Sequence, residues 1–312
     1  MKRKSILIVV IFNIAALCTS REIFCKPTGV PFLTLGVGAH AQGMGGAYIA
    51  QSRDASAIFW NPAALSGLSS NELFFYRDQF TSDFSYSYFA YAHPFASHKS
   101  AFGVAFGRFS EGTFEGRDEN RQPTGDFSAS DSVVSLSFGR KIGNAFSLGA
   151  GIKLIQSAIA SQSATGAAMD VSGSYRLNEA TNLSAGIFNE GPALKYSDES
   201  SALPASFCLG ISRKISFLTL TGDFRQGLND PKSSLSFGGQ MDLAGFCSVR
   251  AGYLSEVARG AVSGNSKDLD QLTGIGMGIG LKLFSRANLD YAFLPMGELG
   301  GTHHMNLSWR FK

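Results

Sequence analysis

The chain has 312 residues, of which only 16% are charged, and 36 are glycine; an ordinary soluble domain carries about 25% charged residues and about 7% glycine. A mean hydropathy of +0.05 excludes a polytopic helical membrane protein, whose spans are apolar almost throughout, and suits strands that keep one face polar. The net charge of +3 is spread along the chain without a basic helix or clustered patch, which argues against nucleic acid as a partner.

The first twenty residues carry Lys2, Arg3 and Lys4, then an apolar run from Ile6 to Leu17 broken by Asn13, then Cys18, Thr19 and Ser20. This is the layout of a secretory signal peptide, too short to span a bilayer as a helix. Residues 1–20 are therefore expected to direct export, with 21–70 and 71–312 as the mature regions. Export leaves Cys25, Cys208 and Cys247, an odd number, so at least one thiol is free. On the strand reading below, Cys208 faces the lumen and Cys247 faces lipid, which does not suit a bridge between them.

Residues 21–70 show no strand rhythm. They contain Gly36, Gly38, Gly43, Gly45 and Gly46, and then Asn61-Pro62-Ala63-Ala64-Leu65 before Gly67. Asn61 as N-cap, Pro62 at the first helical position and Gly67 past the end predict a one-turn helix. A compact glycine-rich segment ahead of a barrel is a candidate plug, because glycine lets its backbone approach the inner wall.

From residue 71 the alternation predicts fourteen strands, at 71–79, 83–93, 100–109, 131–141, 145–157, 166–177, 181–189, 204–213, 216–226, 233–243, 246–257, 272–284, 287–295 and 302–311. Connections alternate in length from the third strand on: 110–130 is long, 142–144 short, 158–165 medium, 178–180 short and 190–203 long. Long loops outside and tight turns inside are the outer-membrane pattern. The expected fold is thus all-β, a fourteen-stranded antiparallel transmembrane barrel in the bacterial outer membrane, surrounded by outer-membrane lipid, with the N-terminal segment as a hatch in its lumen.

Faces follow from the alternation. Phe84, Tyr86, Tyr88 and Ala90 are read as outward, as are Phe146, Leu148, Ala150, Ile152 and Leu154; the first strand is ambiguous between Leu73/Phe75 and Phe74/Tyr76. Lys153, Asp170, Arg176, Asp223, Arg225, Asp242, Arg250, Lys282 and Asp290 all fall on inward positions. A lipid-facing Lys or Arg at mid-bilayer costs about 2–4 kcal/mol, so these charges are expected to form ion pairs across a partly filled lumen. Thr273–Phe284, TGIGMGIGLKLF, puts Met277 and Ile279 on one face and Gly274, Gly276, Gly278 and Gly280 on the other. That glycine row lacks the strand-turn-helix setting of a phosphate loop and reads as a lumen row. The chain ends MNLSWRFK, an aromatic closing strand, with Trp309 and Phe311 among its outward residues.

No metal or cofactor is expected. His303 and His304 are adjacent on a strand and point to opposite faces, and the cysteines form no Cys-x-x-Cys pair. No Ser/His/acid set is marked, so no enzymatic activity is expected.

The run Phe32–Leu65 resembles the N-terminal signature of the PorV/PorQ-like outer-membrane proteins, a branch of the FadL-type barrel superfamily. The matching positions are Gly43, Gly45, Gly46, Ala47, Asp54, Ala55 and the Asn61-Pro62-Ala63 triplet, with Trp60 favouring this branch. The resemblance implies a hatch, including Asn61, Pro62 and Ala63, that gates passage of hydrophobic or amphipathic small molecules such as long-chain fatty acids. The alternative it implies is a protein-binding component of type IX secretion or surface attachment, with secretion-system or surface proteins as partners.

Overall fold

The computed structural model describes residues 28–80, 84–95, 99–196, 199–243, 245–258, 274–295 and 301–312. The expected signal peptide, Cys25 and most of the loop after the eleventh predicted strand lie outside the described residues. The strands are β1 (Asn71–Gln79), β2 (Ser85–Pro94), β3 (Ser100–Arg117), β4 (Pro123–Ile142), β5 (Phe146–Ile159), β6 (Gln162–Arg176), β7 (Thr181–Glu190), β8 (Leu194–Tyr196), β9 (Glu199–Ser201), β10 (Ser206–Ile215), β11 (Leu218–Gly227), β12 (Lys232–Leu243), β13 (Cys247–Ala258), β14 (Ile275–Leu283), β15 (Ala287–Pro295) and β16 (Gly301–Phe311).

Fourteen of these form one closed antiparallel barrel, in which β1 pairs with β16 from Asn71↔Phe311 to Gln79↔His303. Closure is obligatory in hydrocarbon, where an open edge would leave a row of unsatisfied backbone groups. The remaining two strands, β8 and β9, make a small hairpin in the connection between β7 and β10. Leu194 of β8 and Leu203 just past β9 are fully buried and Gly29 N–H donates to the Ala202 carbonyl at 2.9 Å, so this connection folds in over the N-terminal segment.

The alternation sets the faces as expected on most strands. On β14, Met277 and Ile279 are exposed while Gly276 and Gly280 are buried. On β16, Met305, Leu307 and Trp309 face out and Asn306 and Ser308 face in. On β5, Leu148, Ile152 and Leu154 face out beside a buried Lys153. Cys208 is buried and free, and Cys247 is free on the opposite kind of face, alongside outward Leu281 and Leu243.

Two expectations need correction. On β2 the aromatic row is inverted: Tyr86, Tyr88 and Ala90 are buried inside, and Phe89 is the exposed residue. The reason is that the lumen at this wall is apolar, because it is filled by Phe32, Ile58 and Leu65 of the N-terminal segment. The same packing resolves β1 in favour of Phe74 and Tyr76 inward and Phe75 outward. The second correction is to the loops: most of 110–130 is strand, since β3 runs on to Arg117 and β4 starts at Pro123. β5 and β6 likewise meet at a tight turn around Ala160, whose φ is 53°, with no medium loop.

The face assignment can be tested at Ile279. Replacing it by Arg puts a charge into hydrocarbon at a cost of about 2–4 kcal/mol near the midplane. The yield of heat-modifiable barrel in the outer-membrane fraction should fall sharply for Ile279→Arg and stay unchanged for Ile279→Val; equal yields would reverse the assigned face.

Candidate functional site

The inner wall and the segment from Thr28 to Ser70 form one packed unit. The segment contains a 3-10 turn at Pro31–Thr34, a short helix at Ala39–Gly43, another at Ala57–Trp60, and a 3-10 turn at Pro62–Gly67. Both 3-10 turns begin with proline, whose fixed φ is already near the helical value and whose missing N–H is not needed there. Gly45 and Gly46 follow the first helix with φ of 64° and 78°, a reversal that side chains with a Cβ adopt at a cost.

The glycine row of β14 explains itself here. A Cβ at Gly276 would overlap the Gln42 carbonyl, and one at Gly43 would sit 3.1 Å from the Gly278 Cα. Gly252 on β13 and Gly238 on β12 meet the Met44 backbone in the same way, and a Cβ at Gly45 would lie 2.5 Å from Tyr253 N. Segment and wall therefore touch backbone to backbone, which side chains at these positions would forbid. Across the lumen, Gly139 and Gly149 make the same room for Pro62 and Ala63.

Polar contacts hold the segment in register. Asp223 accepts hydrogen bonds from the backbone N–H groups of Tyr48 (2.6 Å) and Ile49 (2.8 Å). Asp54 stays within the segment, accepting from the Tyr48 hydroxyl at 3.0 Å and from Ser56 N–H at 2.9 Å. Burial holds the Asp54 carboxyl above its usual range and the Tyr48 hydroxyl well above its own. Burial, and then the charge of Arg250, hold His40 well below its ordinary value, so its ring is neutral.

Asn61 takes the N-cap position ahead of the second 3-10 turn, yet its side chain does not cap it. Its amide instead donates to the Ile49 carbonyl at 2.7 Å and to Ser174 Oγ at 2.9 Å, and Ala63 N–H donates to Ser172 Oγ at 3.0 Å. Gly67 is the last residue of the turn, one position inside the expected boundary.

Of the inward charges, the structure brings two pairs together. Lys153 Nζ lies 2.8 Å from Asp170 and donates to Asn189 Oδ1 at 2.6 Å, while Asp170 accepts from Asn189 N–H at 2.8 Å. This cluster sits where β6 and β7 shift register, between Met169 and Val171, and Asn189 takes a φ of 57°. The second pair, Arg250 and Asp290 at 2.6 Å, extends through Asn306 (3.0 Å to Asp290) to the His40 N–H (3.4 Å). Arg225 donates to Ser206 Oγ at 3.1 Å. Asp242 accepts from Gln240 at 2.7 Å and has Lys214 at 4.0 Å. Arg176 and Lys282 stand at the short-turn end of the lumen without a side-chain partner among the described residues.

Asn189, Asn306 and Tyr48 carry as much of this network as the charges do, and single-sequence pattern reading marks none of them. His304, which the sequence marks only as one of two adjacent histidines on opposite faces, has its Nδ1 3.2 Å from Asp78 and its Nε2 2.9 Å from Thr302 Oγ1. The arrangement has the connectivity of a hydroxyl-imidazole-carboxylate relay. All three side chains are nonetheless sealed in the β1–β16 seam, with Thr302 only 2% exposed, so it fastens the seam and meets no substrate. Among the described residues no group of three His, Cys, Asp or Glu side chains is placed to hold a metal.

Two outcomes test this docking. Gly276→Ala should expel the Ala39–Gly46 stretch without opening the barrel, giving a heat-modifiable protein whose N-terminal segment becomes protease-sensitive; retained protection would show that the wall yields instead. Lys153→Met leaves Asp170 buried and unpaired, which costs about 3–5 kcal/mol, and the added Asp170→Asn change should recover most of the lost resistance to urea.

The architecture is shared with solved barrels. The CymD monoaromatic hydrocarbon channel aligns with a TM-score of 0.65 at 13% identity, over 89% of this chain and 98% of that one. The Pseudomonas putida toluene transporter TodX aligns with 0.63 at 14% identity, over 88% and 96%. A Pseudomonas aeruginosa FadL homologue aligns with 0.64 at 12% identity, over 93% and 100%. At these identities the likeness is one of fold. A comparison with curated proteins found no match. The family model for the type IX secretion system protein PorV matches residues 19–218, more than half of the chain, and therefore covers the whole N-terminal segment together with β1–β10. This outer-membrane β-barrel belongs to the PorV family.

Proposed function

We propose that this protein serves type IX secretion as a protein-binding barrel, reached by signal-peptide-directed export, and that it meets its partner at the outer end of β3–β6. The observation that carries the reading is the length of these strands. β3 has 18 residues and β4 has 20, against 9 to 12 for strands such as β1, β12 and β14. Twenty residues at about 3.3 Å each, tilted near 40°, rise about 50 Å, roughly twice the apolar band of about 25 Å. Among the described residues this surplus stands on one side of the barrel, beyond the apolar band.

The projecting part has the properties of a docking element. β2 leaves β3 at Ser85↔Ser110, so from Thr113 to Arg117 β3 is paired with β4 on one edge and, among the described residues, has no strand on the other. A bare edge presents a row of backbone donors and acceptors that an extended segment of another chain can complete. Phe114 and Phe127 stack across the hairpin with centroids 5.4 Å apart, stiffening it. Residues 110–130 hold five acidic and two basic side chains, which favours a cationic partner.

A second reading is passage of hydrophobic or amphipathic small molecules such as long-chain fatty acids, gated by the hatch of residues 21–70. It is supported by the barrel fold shared with hydrocarbon channels and by the glycine-lined seat of the segment. It requires Gly43, Gly45, Gly46, Asp54, Asn61, Pro62 and Ala63 to move as a gate, because the inner cavities at the short-turn end are lined by Arg53, Arg250 and hydroxyl groups and offer no apolar route.

Replacing 111–128 by a tight turn should leave the heat-modifiable barrel intact and abolish co-purification of secretion-system or surface-exported proteins. Undiminished partner recovery would remove the hairpin from the interface. Stoichiometric bound lipid in the extracted protein, with no protein partner in either form, would favour the passage reading.

A further inference from the structure

The short-turn end of the lumen carries a cavity that neither reading uses. It has a volume of about 410 Å³ and lies between the 3-10 turn at Pro62–Gly67 and the ends of β4, β5, β6 and β7. Lys141 and Ser147 flank the β4–β5 turn, and Arg176 and Asn182 flank the β6–β7 turn, so the cavity opens on the side that outer-membrane topology assigns to the periplasm.

Its lining is chemically one-sided. Arg53, Lys141 and Arg176 supply three cations, and none of their side chains has a hydrogen bond or ion pair among the described residues. Glu179 is the one carboxylate in the lining. Around the cations lie the hydroxyl groups of Ser66, Ser147, Ser174 and Ser184. The buried charges Lys153 with Asp170 and Arg250 with Asp290 are paired, whereas Arg53 and Arg176 stand exposed and Lys141 half-buried around this recess with no side-chain partner among the described residues.

Cations and hydroxyl groups together fit an anionic phosphate group. They do not fit a hydrocarbon, nor a simple cation.

We propose that this recess binds a phosphate-bearing ligand presented from the periplasmic side, held by Arg53, Lys141 and Arg176 through charge-assisted hydrogen bonds. The same chemistry is offered by a soluble phosphate monoester and by the headgroup of an inner-leaflet phospholipid.

Calorimetric titration of the detergent-purified full chain decides it, with inorganic phosphate, glycerol 3-phosphate and short-chain phosphatidylglycerol as probes and chloride at matched ionic strength as the control. Saturable binding should appear with at least one phosphate probe. Arg53→Gln and Arg176→Gln should each weaken it about tenfold, the loss expected for one charge-assisted contact, while Lys195→Gln at the opposite end changes nothing. Binding of the soluble probes identifies a soluble ligand, and binding of the lipid alone identifies a headgroup; both support the site. Equal heats with chloride, no saturation with any probe, or binding unaffected in the heat-modifiable Arg53→Gln and Arg176→Gln variants would overturn it.

Discussion

Backbone contact between the N-terminal segment and the inner wall is the constraint on which the other features depend. Gln42–Gly46 can lie on β12, β13 and β14 only because Gly238, Gly252, Gly276 and Gly278 present no side chain there. Once that face is fixed, Tyr48 and Ile49 fall where Asp223 can take both their N–H groups, and His40 falls where Asn306 can take its own. Such contacts are rigid, because a buried backbone donor must find an acceptor at one distance and angle. The lumen is therefore filled by a specific fit and not by loose packing.

The two halves of the wall receive the segment by opposite means. On β1 and β2, Tyr76, Tyr86, Tyr88 and Phe74 form an aromatic cluster against Phe32 and Phe59, with edge-to-face geometries throughout. On β12–β14 the wall is bare glycine. Large side chains on one wall push the segment toward the other, and small residues there accept it. This is why the inversion of faces on β2 and the glycine row on β14 are two consequences of one asymmetry in filling the barrel.

How much of this is legible in the sequence depends on the range of the interaction. The strand count, the outward face of β14 and β16 and the inward charges follow from a period of two residues and the cost of charge in lipid, both of which are local. The glycine row is visible as a row, but its partner, Gln42, is more than two hundred positions away. On β2 the period was right and the sign was wrong, since Tyr and Ser alternate with no charge to say which side is lipid. The extensions of β3 and β4 were hidden for a different reason. Their polar sequence lies outside the bilayer, where alternation no longer has to be apolar on one face, so SEGTFEGR looks like a loop. In the inner network, the Lys153 and Asp170 side chains could be marked as inward, but the bulge that brings Asn189 to them belongs to the pairing of β6 with β7.

The two ends of the molecule differ in charge as well as in shape. At the short-turn end the lumen is lined by Arg53, Lys141, Arg176, Lys214, Lys282 and Arg310 against fewer carboxylates. At the far end the projecting hairpin is acidic. Between them the interior charges are paired and closed to solvent, as the 5% and 1% exposures of the Lys153 and Asp170 side chains show. Moving the segment means breaking the Asp223 and Asn61 contacts together, since both hold the stretch from Tyr48 to Asn61. Segment and wall are therefore held as one unit between two ends that differ in charge and in shape.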